Sequence, residues 1–304
     1  MSGSEESGAP WSVAVEGLPV GLVTPVVTMN PRLHNEWELT ATPADVVAIA
    51  AAADELGFHH LTASEHVAVP RSAVTKRGAR YYDPVATLSF LAARTERIRL
   101  ATHVLVLGYH HPLAIVKRYS TLDVLSGGRV VLGVGVGSLE EEFALLDASF
   151  DGRGARADDA IRAIRTAWGE AVPSHSGAHY SFEGMVVDPR APRPDVPIWV
   201  GGRTARSLRR AVELGDGWVP FGLRLDEVRV LLDAARETDA WAGRRRGLEV
   251  VLHPDELLDP AGAPDHVREV AAAHRGAGAT ALNVRLRHRS RPECIEQLHA
   301  LAEL

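Results

Sequence analysis

A single cysteine in 304 residues, Cys294, is the sharpest shortage in this chain. It excludes an intramolecular disulfide, a cysteine-built zinc site and an iron–sulfur cluster held by this chain alone. Basic charge is also short. Lys and Arg total 33 against 39 Asp and Glu, leaving a formal net charge of −6. With no Lys/Arg-rich run and no aromatic–basic groove, a nucleic-acid partner is not expected. No apolar run approaches the ~18 residues that would span a bilayer, so no membrane partner is expected either. The opening MSGSEESGAPWS lacks the basic region and apolar stretch of a secretory signal. Residues 1–17 therefore read as a disordered lead-in to one domain over 18–304, and the cytoplasm is the expected location. Three catalytic signatures are missing too: Gly-x-Ser-x-Gly, His-Glu-x-x-His, and Gly-x-Gly-x-x-Gly after the first strand. Despite 14 histidines, no metal is expected, because the neighbours His59-His60 and His110-His111 cannot both face one ion from a strand.

What the chain does have is alternation. Strand-like runs Val20–Val26, His59–Ser64, Ile98–Leu107, Val130–Val136, Pro197–Val200, Gly217–Phe221, Leu248–Leu252 and Ala281–Leu286 alternate with helix-length segments. Thr42-Pro43 and Asp83-Pro84 supply an N-cap followed by proline at the first helical position, and Gly57 stops the first helix. Residues 173–197, rich in Pro, His, Gly and Ser, break the rhythm and read as an excursion holding a short HYSF–GMVV hairpin. About eight β–α pairs predict an α/β fold, a single (β/α)₈ TIM barrel with an insertion, and an open doubly wound sheet is the alternative.

A barrel places its chemistry just beyond the strands' C-terminal ends. There stand Thr24, Glu65-His66, Gly108-Tyr109-His110-His111, Gly135-Val136-Gly137-Ser138, Gly201-Gly202-Arg203, Pro220-Phe221, His253 and Arg285. Two of these ends are glycine-rich and precede helices, the pattern that lets backbone N–H groups and a helix N-terminus approach a phosphate, with Arg203 adding charge. Relief of crowding in the barrel is the other reading of the same glycines. Glu65-His66 is the acid–base candidate, or else a capping or salt-bridging pair. Neighbours at a strand end point opposite ways, so one of the two faces the site. His103 sits within the third strand, where it either looks into the mouth or is a satisfied core histidine. Glu140-Glu141-Glu142 reads as a solvated first helical turn, and Trp168, Trp199 and Trp218 as packing aromatics.

These residues resemble the bacterial luciferase-like flavin and deazaflavin oxidoreductases. The blocks that carry the resemblance are ADELG at 53–57, Ser64-Glu65-His66, YDPVATLSFLAARTERIRLATHVLVL at 82–107 and HPLAIVKRYSTLDVLSGGRVVLGVGVG at 111–137. FDGRGAR at 150–156, PIWVGGR at 197–203 and GDGWVP at 215–220 complete them. The subgroup it most resembles is presumed to use coenzyme F420, a 5-deazaflavin, with FMN the alternative cofactor. The resemblance implies a ring at the strand ends, a non-prolyl cis peptide at or next to His103-Val104 that buttresses it, and cofactor phosphate near Gly137-Ser138 and Gly201-Gly202-Arg203. The cofactor contacts it implies are thus His103, Val104, Gly135, Val136, Gly137, Ser138, Gly201, Gly202 and Arg203. His66 is the implied proton donor or acceptor, with Glu65 its electrostatic partner, and Thr24, Tyr109 and His110 face a small-molecule substrate. Family members are commonly dimers, which implies a homodimer. The implied activity is hydride transfer between the deazaflavin C5 and a small organic substrate. An FMN-dependent monooxygenase using reduced flavin and oxygen, or a non-catalytic flavin-binding barrel, are the rivals. The Gly108-Tyr109-His110 turn departs from the subgroup pattern and marks where the substrate side is specialised, and Ser138 stands where some deazaflavin members carry a catalytic glutamate or a tryptophan, so chemistry that depends on that side chain is not carried over.

Overall fold

Short strands crowded with Val, Leu and Ile, each followed by a proline- or threonine-capped helix, leave few ways to bury both faces of a parallel sheet, and closing it into a ring is one. The computed structural model, which describes residues 11–304, shows that ring. Its strands are β1 (Leu18–Val23), β2 (His60–Ala63), β3 (Arg99–Thr102), β4 (Val130–Gly135), β5 (Ile198–Gly201), β6 (Gly217–Val219), β7 (Glu249–Leu252) and β8 (Ala281–Val284). Each pairs in parallel with the next, and β8 returns to β1 with Asn283 opposite Gly21. Eight main helices lie outside: α1 (Pro43–Leu56), α2 (Pro84–Ala92), α3 (Pro112–Ser126), α4 (Arg153–Ala167), α5 (Ala205–Leu214), α6 (Leu225–Arg236), α7 (Pro264–Gly276) and α8 (Arg291–Ala302).

Strand alternation sorts the core into two layers. In β4, Val130, Leu132 and Val134 face the helices, whereas Val131 turns inward to join Ala101, Trp199, Val219, Val251 and Ala281 inside the ring. Trp168, Trp199 and Trp218 are all buried, as packing aromatics should be. At the end away from the strand C-termini, Trp11 packs edge-on to His59 at 4.7 Å, with the Arg99 guanidinium 4.1 Å above its ring. His59 and His60 meet through their Nδ1 atoms at 2.8 Å. A Cβ on Gly21 would come within 2.2 Å of the His60 ring, so only glycine fits there.

Part of the lead-in expected over residues 1–17 is ordered. Residues 1–10 lie outside the described residues, but Ala14–Val15 form a strand antiparallel to β1, with Val13 and Val15 buried. Two apolar side chains under the barrel outweigh the flexible composition around them. The third strand also departs from the continuous Ile98–Leu107 expected. It ends at Thr102, passes a cis peptide bond between His103 and Val104, and resumes as Leu105–Val106 against the end of β4.

The excursion between α4 and β5 does hold a hairpin, but it pairs His175–Ser176 with Ser181–Phe182, so HYSF supplies the returning strand and GMVV none. The reason is Asp159 on α4. Its carboxylate accepts from His175 Nε2 at 3.0 Å and from the backbone N–H of His179 and Tyr180 at 2.7 and 2.9 Å. Burial alone would raise the Asp159 pKa, but these three donors outweigh it and hold the carboxyl below its ordinary value. The helix expected over Asp226–Trp241 is likewise split, because Thr238 caps a new turn by accepting from Trp241 N. No helix among the described residues is long and apolar enough to cross a membrane.

Candidate active site

The residues after β2 and β3 converge with a helix turn after β4. Glu65 and His66 do point opposite ways, and each finds its own partner. His66 Nδ1 lies 2.8 Å from Glu142 Oε2, while Glu65 Oε1 lies 2.7 Å from His110 Nε2. The pairing of Glu65 with His66 expected from their adjacency is therefore replaced by two separate carboxylate–imidazole pairs. Continuing the alternation that turns His60 inward carries His66 to the axis side and Glu65 to the helix side.

Glu142 is the organising group, although its side chain is sealed from solvent. Its Oε1 accepts from the N–H groups of Val67 at 2.5 Å and Ala68 at 3.2 Å. Oε2 accepts from His66 and, at 2.7 Å, from the Tyr109 hydroxyl. One carboxylate thus ties together the loop after β2, the turn after β3 and its own short helix Glu140–Leu145. Desolvation pushes its pKa up, but the His66 and Tyr109 hydrogen bonds and the backbone donors win, so the group stays ionised below its ordinary range. Burial, with the Glu142 contact next, raises the Tyr109 phenol far above its usual value and keeps it a donor. Because Glu142 accepts at Nδ1, His66 carries its proton there and leaves Nε2 for a ligand.

The solvated glutamate turn expected here holds for Glu140 and Glu141, which are exposed, and fails for Glu142. The signal was present in the spacing. Leu139, Glu142, Phe143 and Leu146 recur at helical period, which puts the carboxylate on the buried stripe.

His110 is equally constrained. Arg118 Nη1 sits 3.2 Å from its Nδ1. A guanidinium only donates, so Nδ1 accepts and Nε2–H donates to Glu65. The other Glu65 oxygen accepts from Val106 N at 2.6 Å. Glu65 therefore fixes the resumed part of the third strand.

Val104 explains the two glycine-rich ends. A Cβ on Gly135 would stand 2.6 Å from Val104 Cγ2, and one on Gly201 would stand 2.8 Å from Cγ1. Gly137, at φ +78°, leaves room for the Phe143 ring, and Gly202, at φ +129°, for Ser207. These glycines admit neighbouring side chains, the crowding-relief reading. Val136 beside them packs on the core. The two ends then differ in charge. Ser138 is exposed but leads into a helix of six residues that opens on glutamates, which disfavours an anion. Arg203 and Thr204 are exposed at the start of the ten-residue α5, and Arg203 makes no ion pair among the described residues.

Deeper in the mouth, His103 from beyond β3 and His253 from beyond β7 meet with ring centroids 4.5 Å apart. Burial, then the Arg285 charge, pulls the His103 pKa down to about 4, and burial and His103 hold His253 well below its ordinary value. Asn283 Nδ2 lies 3.3 Å from His253 Nε2. His103 Nε2, His253 Nδ1 and Asn283 Oδ1 are buried with no hydrogen-bond partner among the described residues, and so is the Thr24 hydroxyl. Of the substrate-facing residues expected, Tyr109 and His110 are thus committed to the two carboxylates, while Thr24 is buried and unpaired.

Comparison with known proteins bears on the family and the fold. Residues 20–256 match the family model described as luciferase-like monooxygenase. An F420-dependent glucose-6-phosphate dehydrogenase of Beutenbergia cavernae is 32% identical over 247 residues, covering 79% of this chain and 70% of that protein. Among solved structures, the monooxygenase RslO1 from Streptomyces bottropensis superposes with a TM-score of 0.72 at 24% identity, covering 94% of this chain and 98% of that one. The coenzyme F420 dependent tetrahydromethanopterin reductase from Methanopyrus kandleri superposes with a TM-score of 0.69 at 14% identity, covering 92% and 97%. At these identities the two structures speak for the fold alone.

Proposed function

This chain belongs to the luciferase-like monooxygenase family and is an oxidoreductase; from that premise we propose that it uses coenzyme F420 to move a hydride to or from a small organic substrate. The observation that carries the reading is the ordered His66 imidazole at the barrel mouth, its Nδ1 bound to a buried carboxylate. The name of the 32% identical relative supports the deazaflavin over FMN.

The residues present fit a flavin-type group. Val104 stands between two glycines at the break in the third strand, buried polar atoms beside it lack partners among the described residues, and Arg203, with no ion pair among them either, stands at the rim. Val104 and His103 would lie against the ring, and Gly202, Arg203 and Thr204 would meet phosphate, with Ser138 the weaker contact. When bound, the deazaflavin supplies a carbon that accepts or gives a hydride.

The protein's own part is the proton. As hydride leaves an alcohol carbon its hydroxyl must lose a proton, and in the reverse direction a carbonyl oxygen must gain one. His66 Nε2 handles that proton. Glu142 keeps the Nδ1–H tautomer in place and offsets the positive charge the imidazole gains. Tyr109 donates to the same oxygen and keeps the carboxylate from swinging away. Glu65 positions the third strand through Val106 and takes no part in the proton transfer.

Fluorescence titration of the purified apo-protein with coenzyme F420 and with FMN tests the cofactor assignment. Tight deazaflavin binding with weak FMN binding supports it; tight FMN binding with none for the deazaflavin overturns it in favour of the monooxygenase.

A further inference from the structure

Arg285 stands apart from other arginines that the fold draws inward. Arg129 spends its guanidinium on Ser126 O, Thr95 Oγ1, Ile98 O, Ala92 O and Thr95 O. Arg193 pairs with Asp123, and Arg210 with Asp158. Arg285, half-buried where β8 ends, makes one side-chain contact among the described residues, from Nη1 to Thr28 O at a long 3.4 Å. Burial pulls its pKa down to about 10, with Glu38 pulling the other way, so it is charged at neutral pH. Glu38 does not pair with it. That carboxylate is buried and accepts from Val26 N, Asn35 N and Asn35 Nδ2. A guanidinium drawn partly out of water with most of its donors unanswered is destabilising, so its place calls for a partner the described chain does not supply.

β8 lies two strands from β2, which delivers His66, and three from β5, which delivers Arg203. The guanidinium thus stands on the proton-handling side of the mouth, away from the end assigned to cofactor phosphate. Tyr81 lies between it and His66. The Tyr81 ring packs edge-on to that imidazole with centroids 4.5 Å apart, and the Arg285 charge acts on its phenol. The same charge reaches His103 and His253. Arg77, whose backbone oxygen accepts the Tyr81 hydroxyl at 2.6 Å, adds a second positive charge beside that phenol. A guanidinium fork answers a planar carboxylate with two parallel N–H bonds. A doubly charged phosphate would bring its extra charge toward Glu38 and Glu142, which already act on Arg285 and Tyr81.

We propose that Arg285 binds a carboxylate of the substrate, so that this enzyme acts on a small organic acid. Arg285 holds the acid group from β8 while His66, across Tyr81, handles the proton at the reacting end. The two residues make no contact with each other, so one selects the substrate and the other serves the chemistry. The inference deepens the proposed function and rests on reading the barrel mouth as the active site.

The test reads binding rather than turnover, so it stands apart from the cofactor assignment. Cyclohexanecarboxylate and cyclohexanecarboxamide share a skeleton and differ in charge, and cyclohexyl phosphate is the doubly charged probe. Each is titrated calorimetrically into the protein, without cofactor and with F420 or FMN present. The acid should bind at least about tenfold tighter than the amide, the effect of one charge-assisted hydrogen-bonded pair, and tighter than the phosphate. In ¹⁵N-arginine-labelled protein the Arg285 Nε signal should shift with the acid and stay in place with the amide. Arg285→Gln should erase the preference while leaving amide binding in place. Acid that binds no tighter than amide, an Arg285 signal unmoved by saturating acid, or a preference that survives Arg285→Gln would overturn the proposal. So would tighter binding of the phosphate, which would assign a different anion, or bound acid displaced by either cofactor, which would give the guanidinium to the cofactor.

Discussion

Replacing Glu142 by glutamine exchanges one oxygen for an NH₂ group and keeps the shape. All four contacts to the wild-type carboxylate come from donors: Val67 N, Ala68 N, His66 Nδ1 and Tyr109 OH. Glutamine can satisfy only one side. Val67 and Ala68 are exposed, so their N–H groups can turn to water, and the amide settles with its oxygen toward His66 and Tyr109 and its NH₂ toward the loop. His66 then keeps its proton on Nδ1. Stability drops by only about 1–2 kcal/mol, the loss of the hydrogen bonds on the loop side. Catalysis suffers far more, because a neutral amide no longer offsets the charge the imidazole gains when Nε2 takes a proton. A loss of roughly 10²–10⁴ in kcat is expected, the range for removing a positioned acid–base. Glu142→Ala strips the acceptor from both partially buried side chains and should cost about 2–4 kcal/mol. Urea denaturation reads the stability, and ¹⁵N-histidine spectra read the tautomer. A Glu142→Gln enzyme with wild-type kcat would refute the reasoning, and a proton moved to Nε2 would refute the orientation assigned to the amide.

His66→Ala should leave the fold intact and lower kcat by about 10²–10⁴, with a smaller change in KM; unchanged kcat removes His66 from the mechanism. Gly135→Ala and Gly201→Ala each drive a methyl to within 2.8 Å of Val104, so each should destabilise by about 1–3 kcal/mol and weaken cofactor binding. Wild-type melting and cofactor affinity in both would show that Val104 has room to spare. Stability should also fall early on acidification. His59, held to about 3 by burial and Arg99, and His103, held to about 4, both have folded pKa values below the ordinary 6.5. The unfolded chain then binds more protons below pH 6.5, so the stabilisation present above that pH is lost as pH falls toward those folded values. The slope is about 1.4 kcal/mol per pH unit per histidine. Denaturation curves that superimpose from pH 7 to pH 5 would contradict it.

The barrel was legible because strand and helix periods and the Thr42-Pro43, Asp83-Pro84 and Gly57 boundaries are local signals. The cis bond at His103-Val104, reached through resemblance, stands where expected, yet the strand around it reads as an unbroken apolar run. Its interruption depends on neighbours, Gly135 and Gly201, that are remote in sequence. Glu142 was hidden for the same reason. Three adjacent glutamates look alike until tertiary packing buries one of them, and its partners lie 33 to 76 positions away. Glu65 and His66 stand at the strand end where the sequence puts them, but adjacency suggested a pairing that strand geometry replaces with two others. The lead-in and the excursion hairpin were misjudged where two buried valines and one buried aspartate override local composition.

The central claim, that this chain passes a hydride to or from a deazaflavin, is tested most directly by isotope tracing. The enzyme is supplied anaerobically with oxidised F420 and a panel of alcohols deuterated at the carbinol carbon, and the recovered cofactor is weighed by mass spectrometry. In parallel it is supplied with reduced FMN, ¹⁸O₂ and the same panel. The account predicts one deuterium gained by the deazaflavin and no ¹⁸O in any product. Label from ¹⁸O₂ in the product with FMN, and an unlabelled deazaflavin throughout, would contradict it.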